Sequence, residues 1–470
     1  MPNPEAWHSS VLANRKSPFS SAEEEQAGRQ SALQAQVDAW CLYLPGLVAA
    51  FARIRDPRRP GSIKHKSVVL LTFGVLLFIF QYSSRREANR ELTAPSFWEL
   101  VREIFPEIDS IPHADTLARF LESIEPSELQ SVLKDTVKRL LRNGRLKSFL
   151  VQHRYVVAID GTQKFTSQKP FAPEALRRRH GQQAESYVVY VVEAVLVGPH
   201  GVTIPLMSEF LHNDGEMDPQ AKQDCESKGF HRLARRLKQA FPRLPVMVVA
   251  DGLYPNGPMM SLCRELSWDF MFVLKEGCLP SVWEEVQALR PLEPTQRLSS
   301  RWVDRDQQFW WVNMIEYEYQ DADGRLRRIK IHVAGCTETW EESGEQKRSE
   351  WVWVSHAPLT DKNIVGRCNR MARRRWDVEE HILKEKCQGY HYEHVFSYNW
   401  NAIQGWHTLM CIGHLINTLT LLAVNLEGIV RRHGLQGTLR FLRTTWMGRW
   451  VDRTTLKRLC SRRPQLRLVI

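Results

Sequence analysis

Hydrophobic positions change their spacing twice along this chain. From about residue 35 to residue 149 they recur at three- and four-residue intervals. Leu129, Val132, Leu133, Val137 and Leu140 share one helix face behind the start signal Pro126-Ser127. Pro112 to Asp115 reads as a turn and cap ahead of a helix over Leu117–Ile124. Val68 to Phe80 is almost wholly apolar but too short to span a bilayer, which predicts a buried helix. An all-helical N-terminal domain is therefore expected over residues 35–150. The polar stretch before it, residues 1–34, reads as flexible.

The spacing then shifts to runs rich in Val and Tyr. Tyr155–Asp160, Tyr187–Val197 and Val202–Leu211 predict strands, the last two joined by the turn Gly198-Pro199-His200-Gly201. A helix from about Pro219 to Phe241, a strand over Pro245–Ala250, a helix from about Pro258 to Leu266 and a strand over Asp269–Leu274 follow. Residues 278–349 turn polar and aromatic, with alternating runs such as Phe309-Trp310-Trp311-Val312 and a hairpin signal at Asp321-Ala322-Asp323-Gly324. A β-rich insertion is expected there. A strand over Trp351–Val354 and a helix from about Lys362 to Lys386 return to the core. An α/β core thus comprises residues 151–277 and 350–427, followed by a basic helical segment over residues 428–470. Trp406–Leu426 contains His407, His414 and Asn417 and reads as a core helix, so no membrane partner is expected.

Charge adds a partner to this picture. The 470 residues hold 64 Lys and Arg against 53 Asp and Glu, a formal charge of +11. The excess is concentrated: Arg53, Arg55, Arg58, Arg59, Lys64 and Lys66 form one cluster, Arg177, Arg178 and Arg179 another. A third runs from Arg431 to Arg467. Clusters on several segments fit a nucleic acid lying across the surface. The nine cysteines are scattered without a Cys-x-x-Cys pair, so neither a disulfide framework nor a zinc site is indicated. Met1 to Arg29 is polar and mixed in charge, unlike a secretory signal, and a cytoplasmic, nucleoid-associated location is expected.

Three acids carry the candidate chemistry. Asp160 ends the run Tyr155-Val156-Val157-Ala158-Ile159, and Asp251 ends Pro245-Val246-Met247-Val248-Val249-Ala250. Each precedes a glycine, and Asp-Gly is also ordinary turn chemistry. Neither run alternates as a half-exposed strand would, and parallel neighbours would project both carboxylates from one sheet edge. Glu379 belongs to the predicted helix. At about 100° per residue, Arg375, Glu379 and Lys386 fall within roughly 40° of one another. Met371, Val378 and Ile382 form an adjacent apolar stripe. Two carboxylates at strand tips and one on a helix can hold Mg²⁺ or Mn²⁺ for phosphodiester chemistry.

The motifs Asp160-Gly161-Thr162, Asp251-Gly252-Leu253-Tyr254 and Arg375-Trp376-x-Val378-Glu379 followed by Lys386 resemble the DDE transposases of bacterial insertion sequences. The likeness is to the group with a Tyr-Arg-Glu-Lys signature, and it covers about Val151 to Asn425. Ala372 stands where that signature has its tyrosine. The resemblance implies a ribonuclease-H-like mixed sheet flanked by helices, with the β-rich insertion before the glutamate helix. It implies that Asp160, Asp251 and Glu379 hold two Mg²⁺ ions, and that Arg375 and Lys386 grip phosphates. Double-stranded DNA is the implied partner, as element inverted repeats and as target, with a homodimer pairing two ends.

Arg177, Arg178 and Arg179, expected in the loop after Asp160, are candidates for phosphate contact, with a solvated loop as the alternative. In hairpin-forming relatives an aromatic residue of the insertion stacks on a flipped base. Of Trp302, Trp310, Trp311 and Trp340, the named candidates are Trp310 and Trp311, although packing of the insertion is the favoured role of each singly. Lys275 either reaches the site mouth or is a solvated strand-end lysine, the latter favoured. Two other activities remain open on the sequence: a metal nuclease on the same fold that cuts without joining, and a non-catalytic DNA-binding derivative.

Overall fold

The computed structural model describes residues 17, 19–180, 184–213, 223–448 and 452–462. Its helical region comprises α1 (Ala22–Phe51), α2 (Ser67–Ile79), α3 (Arg85–Glu91), α4 (Pro95–Ile104), α5 (Ala114–Ser123) and α6 (Pro126–Arg142). Helix α1 begins inside the stretch expected to be flexible. Ser21 caps it by accepting from Glu24 N–H, and Glu23, Glu24 and Glu25 occupy its first turn, where carboxylates suit the helix dipole. Residues 22–34 are thus helical, while residues 1–16 and 18 lie outside the described part.

Eleven strands form one mixed sheet: β1 (Leu150–Val151), β2 (Arg154–Ser167), β3 (Leu176–His180), β4 (Ala184–Val197), β5 (Thr203–Leu211), β6 (Val246–Ala250), β7 (Asp269–Val273), β8 (Arg297–Trp302), β9 (Arg305–Gln320), β10 (Leu326–Glu342) and β11 (Glu345–Ser355). Helices α7 (Glu226–Ala240), α8 (Gly257–Glu265) and α9 (Pro280–Leu289) interleave with them. Then come α10 (Ile364–Arg370), α11 (Trp376–Cys387), α12 (Trp400–Leu421), α13 (Glu427–Met447) and α14 (Arg453–Cys460). Strand order is β3-β4-β2-β6-β7-β11-β10-β9-β8, with β1 beside β2 and β5 beside β4. The β2–β6 and β6–β7 pairs are parallel and the rest antiparallel. Part of the helix expected from Pro219, residues 219–222, falls outside the described residues.

Strands β2 and β6 read as unbroken apolar runs because both their faces are covered. Val157 and Ile159 point into the core shared with the helical region. Val156, Ala158, Met247 and Val249 face the opposite way, against Met371, Val378 and Ile382. The residues expected to form a β-rich insertion extend this same sheet. The far half of β11 pairs with β7 (Trp353↔Val273, Val354↔Phe272), and β10, β9 and β8 follow outward.

The helical region has no core of its own. One apolar cluster runs from Ala32 on α1 to Leu459 on α14. At its centre α2, buried at every position, lies against α12. The close approach depends on glycine: a Cβ on Gly413 would stand 2.7 Å from Phe78 Cβ and 3.3 Å from the backbone N of Ile79. Asn417 on α12 donates to Ile79 O at 3.1 Å. No helix among the described residues is long and apolar enough to cross a membrane.

A buried ion pair holds α10 to the start of β7. Arg367 donates through both terminal nitrogens to the two carboxylate oxygens of Asp269, each at 2.8 Å, and to Ser355 Oγ at 3.0 Å. Burial alone would raise the Asp269 pKa, but hydrogen bonds from His356 and Arg367 hold it far below the usual carboxylate range.

Candidate active site

Asp160 and Asp251 leave neighbouring parallel strands at matching heights. Ala158 pairs with Val249, so both acids stand two residues beyond the last paired position. Strand β2 does not end at Asp160 as expected. It continues along β4 to Ser167, with a bulge between Gln163 and Phe165, because Phe165 joins an apolar cluster with Val189, Val191 and Phe210. Asp251 does end its strand and also performs the turn chemistry: its Oδ1 accepts from Leu253 N–H at 2.8 Å. Its Oδ2 meets Lys275 Nζ at 3.0 Å. The strand-end lysine is thus exposed, as favoured, and at the same time paired with Asp251.

The helix expected over Lys362–Lys386 is broken. After α10 the chain turns at Met371 (φ −123°, ψ −70°), makes a 3₁₀ turn over Ala372–Arg375 and restarts as α11. Three consecutive arginines take separate partners there: Arg373 pairs with Glu338, Arg374 with Asp377, and Arg375 with Glu379. Glu379 lands in the first turn of α11, with the buried guanidinium of Arg375 bonded to it and stacked 4.0 Å over the Trp376 ring. Lys386 reaches back to β2, donating to Gln163 O at 3.4 Å and pairing with Glu393 at 2.9 Å.

Electrostatics tie these pieces together. The Asp160 pKa is raised to about 6, first by burial, then by the nearby carboxylates of Glu226 and Glu379. The Gly161 N–H, donating at 2.9 Å, and Arg375 oppose the rise. Tyr254, from the Asp251 motif, feels Glu226, Asp160 and Asp251 together. The donors around this edge are all carboxylate oxygens, the set that suits a hard divalent cation. Among the described residues only His381, Glu385 and His414 bring three ligating atoms within 4.8 Å of one another, so the acids around Asp160 are spread more widely than that. Lys275 and Arg375 occupy Asp251 and Glu379 where such a cation would compete for them.

A buried polar layer fixes α11 behind the acids. His381 Nε2 and His414 Nδ1 both face Glu385 Oε1, at 3.2 and 2.8 Å, and Thr203 Oγ1 holds the other nitrogen of His381 at 2.8 Å. Glu193, which pairs with Asp160 across the β2–β4 ladder, accepts from Ser208 and Tyr392 and meets His407. Lys164, buried, donates to Tyr392 O at 2.7 Å. Burial lowers its pKa to about 8 against the pull of Glu193 and Glu385. The sequence pattern marked His407 and His414 but not the others, because His381 and Glu385 on a helix, and Lys164 and Glu193 on strands, take inward positions among apolar residues.

The other expected DNA contacts divide. Arg177, Arg178 and Arg179 lie on the edge strand β3 rather than in a loop. Arg178 is exposed and donates to Gln163 Oε1 at 3.3 Å, close to Lys386; Arg179 pairs with Glu185, and Arg177 stands 5.7 Å over the Tyr187 ring. Trp310 and Trp311 are 8% and 6% exposed. Their rings are occupied on opposite faces of the sheet, Trp310 beneath Arg290 and Trp311 beside Phe309 and Trp353, so neither is offered to a base.

A family model described as DDE_Tnp_1-associated matches residues 48–136. The match points to a DDE-family transposase. No curated protein matches the chain. The transposase-associated segment spans the end of α1 and α2 to α5 with most of α6. It includes the loop where Arg53, Arg55, Arg59 and Lys64 are exposed. Asp160, Asp251 and Glu379 lie outside it, the first on β2, the second just after β6 and the third on α11.

Proposed function

We propose that this chain is a DDE transposase with a ribonuclease-H-like core, of the group bearing the Tyr-Arg-Glu-Lys signature. It cuts DNA at the ends of an insertion sequence and joins those ends to a target. The observation that carries the reading is the juxtaposition of Asp160 and Asp251, at matching heights on parallel neighbours, with Glu379 in electrostatic range of Asp160.

Asp160, Asp251 and Glu379 would hold Mg²⁺ or Mn²⁺, which when bound stabilises the attacking and leaving oxygens of a phosphodiester. The protein's own part is positioning and charge. Arg375, whose planar guanidinium is buried against Glu379, would meet two phosphate oxygens once released from that carboxylate, and Lys386 would add a point charge. Arg178 adds a cation on the neighbouring edge strand. The exposed bases of residues 53–66 suit the backbone of an element end. Two ends must be cut together, so a homodimer is the expected working unit.

The test uses the full chain and duplexes carrying the flanks of its own gene, with Mg²⁺. Wild type is expected to nick at the ends and to give products joined to a target plasmid. Asp251→Asn is expected to bind the same duplex and cut nothing. Cutting without joined products would replace the reading with a nuclease, and an active Asp251→Asn variant would overturn the site.

A further inference from the structure

Glu226 is a fourth carboxylate at this edge, and the fold is built around it. It opens α7, which is seated on the sheet by Gly229 against Leu211 and Val192. Two tyrosines from different elements hold its two oxygens. Tyr190 of β4 donates to Oε2 at 3.0 Å, and Tyr254, fully buried just after Asp251, donates to Oε1 at 2.7 Å. Beneath Asp160 the chain places a glycine: a Cβ on Gly161 would stand 2.5 Å from Glu226 Cδ and within 2.8 Å of both its oxygens. The Asp-Gly at 160–161 thus leaves room for this carboxylate, since the φ of Gly161 is not among the positive ones that require glycine.

Each oxygen of Glu226 retains a lone pair after the tyrosine bond. No salt bridge to a described basic residue neutralises it, whereas Asp251 and Glu379 are paired with Lys275 and Arg375. Two hydroxyl donors fix where a carboxylate sits without cancelling its charge. That arrangement orients the carboxylate while leaving lone pairs for a cation. Four carboxylates also balance two divalent ions, where three leave one positive charge over.

We infer that Glu226 is a fourth metal-holding residue, sharing the divalent cations with Asp160 from the opposite face of the sheet. The inference rests on the proposed transposase reading. Tyr190 and Tyr254 are then positioning residues for Glu226, and Gly161 is the clearance it needs.

The test is Mn²⁺ binding to the DNA-free full chain, followed by electron paramagnetic resonance and calorimetry, with thermal melts as the check on folding. Wild type is expected to take up about two Mn²⁺ per chain. Asp160→Asn and Glu226→Gln should each weaken Mn²⁺ affinity about tenfold or more, and Tyr254→Phe by less. Gly161→Ala, which leaves every carboxylate in the chain but displaces that of Glu226, should reproduce the Glu226→Gln loss. It also serves if Glu226→Gln fails to fold. Wild-type affinity in Glu226→Gln and Gly161→Ala, with Asp160→Asn weakened, would overturn the inference and leave the transposase reading standing. Unchanged affinity in Asp160→Asn would overturn both.

Discussion

Lys275 Nζ lies 3.0 Å from Asp251 Oδ2, and its side-chain stem covers Gly252 so closely that a Cβ there would stand 2.5 Å from Lys275 Cδ. An ammonium held on a prospective metal ligand competes with the metal. Lys275→Met should therefore raise Mn²⁺ affinity of the DNA-free protein. The pair is partly exposed, so the gain is expected to be modest, about fivefold at most. The same titration without DNA checks it. Weaker binding in Lys275→Met would mean that the lysine orders Asp251 rather than blocking it.

The Asp160 carboxyl gives a pH dependence with a definite sign. Its folded pKa is raised to about 6 from an ordinary value of 3.8. The folded state thus keeps a proton that the unfolded chain has already released. In metal-free buffer the penalty for ionising Asp160 is absent below about pH 4, grows as pH rises, and is complete above about pH 6. Asp160→Asn should melt higher than wild type above pH 6, by on the order of 2 kcal/mol after allowance for solvent screening, and equally near pH 4. Melting curves of both proteins across that range are the check. Saturating Mn²⁺ should close the gap at high pH, because the cation takes the place of the proton.

The exposed loop between α1 and α2 predicts a salt effect. Replacing Arg53, Arg55, Arg59 and Lys64 by Gln should leave the melting temperature nearly unchanged, since these side chains are exposed. Affinity for an element-end duplex should fall, and the slope of log K against log salt should flatten by about 0.9 for each phosphate no longer neutralised. An unchanged slope would remove this loop from the DNA interface.

Arg367 and Asp269 predict a fold-level failure. Arg367→Met strands a carboxylate that is 3% exposed, although His356 and Arg154 stay nearby. Loss of stability of about 3–5 kcal/mol is expected, read by urea denaturation. Replacing both members by apolar residues should recover most of it.

The two apolar runs ending in Asp160 and Asp251 were legible because burial on both faces writes an unbroken Val-rich run, and a polar residue ending such a run stands out, even where the strand itself goes on to Ser167. Their projection from one edge was expected only on condition of parallel pairing, which the β2–β6 register supplies, with Ala158 opposite Val249. Other features were hidden for physical reasons. Met371 breaks the expected helix without glycine or proline, through the competing partners of Arg373, Arg374 and Arg375. Trp310 and Trp311 sit in the stretch expected to be a β-rich insertion, and they pack on opposite faces of the sheet that it extends, the role favoured for each singly. Arg177 to Arg179 form an edge strand, where charge is tolerated because one side of the backbone is unpaired. Glu226 gave no signal, since an acid at the start of a helix is what the dipole favours anyway.

Gly413 lets α12 rest on the backbone of α2, and that approach turns the molecule into a calliper. On the proposed transposase reading, one jaw is the basic loop before α2 and the other the acidic edge at Asp160, and one apolar cluster of the described residues joins them. DNA gripped by the first would be measured off against the second at a fixed span. The cut position would then be counted from the binding sequence in base pairs: a spacer inserted between the two should carry the cut along with the binding site, not with the element's terminus.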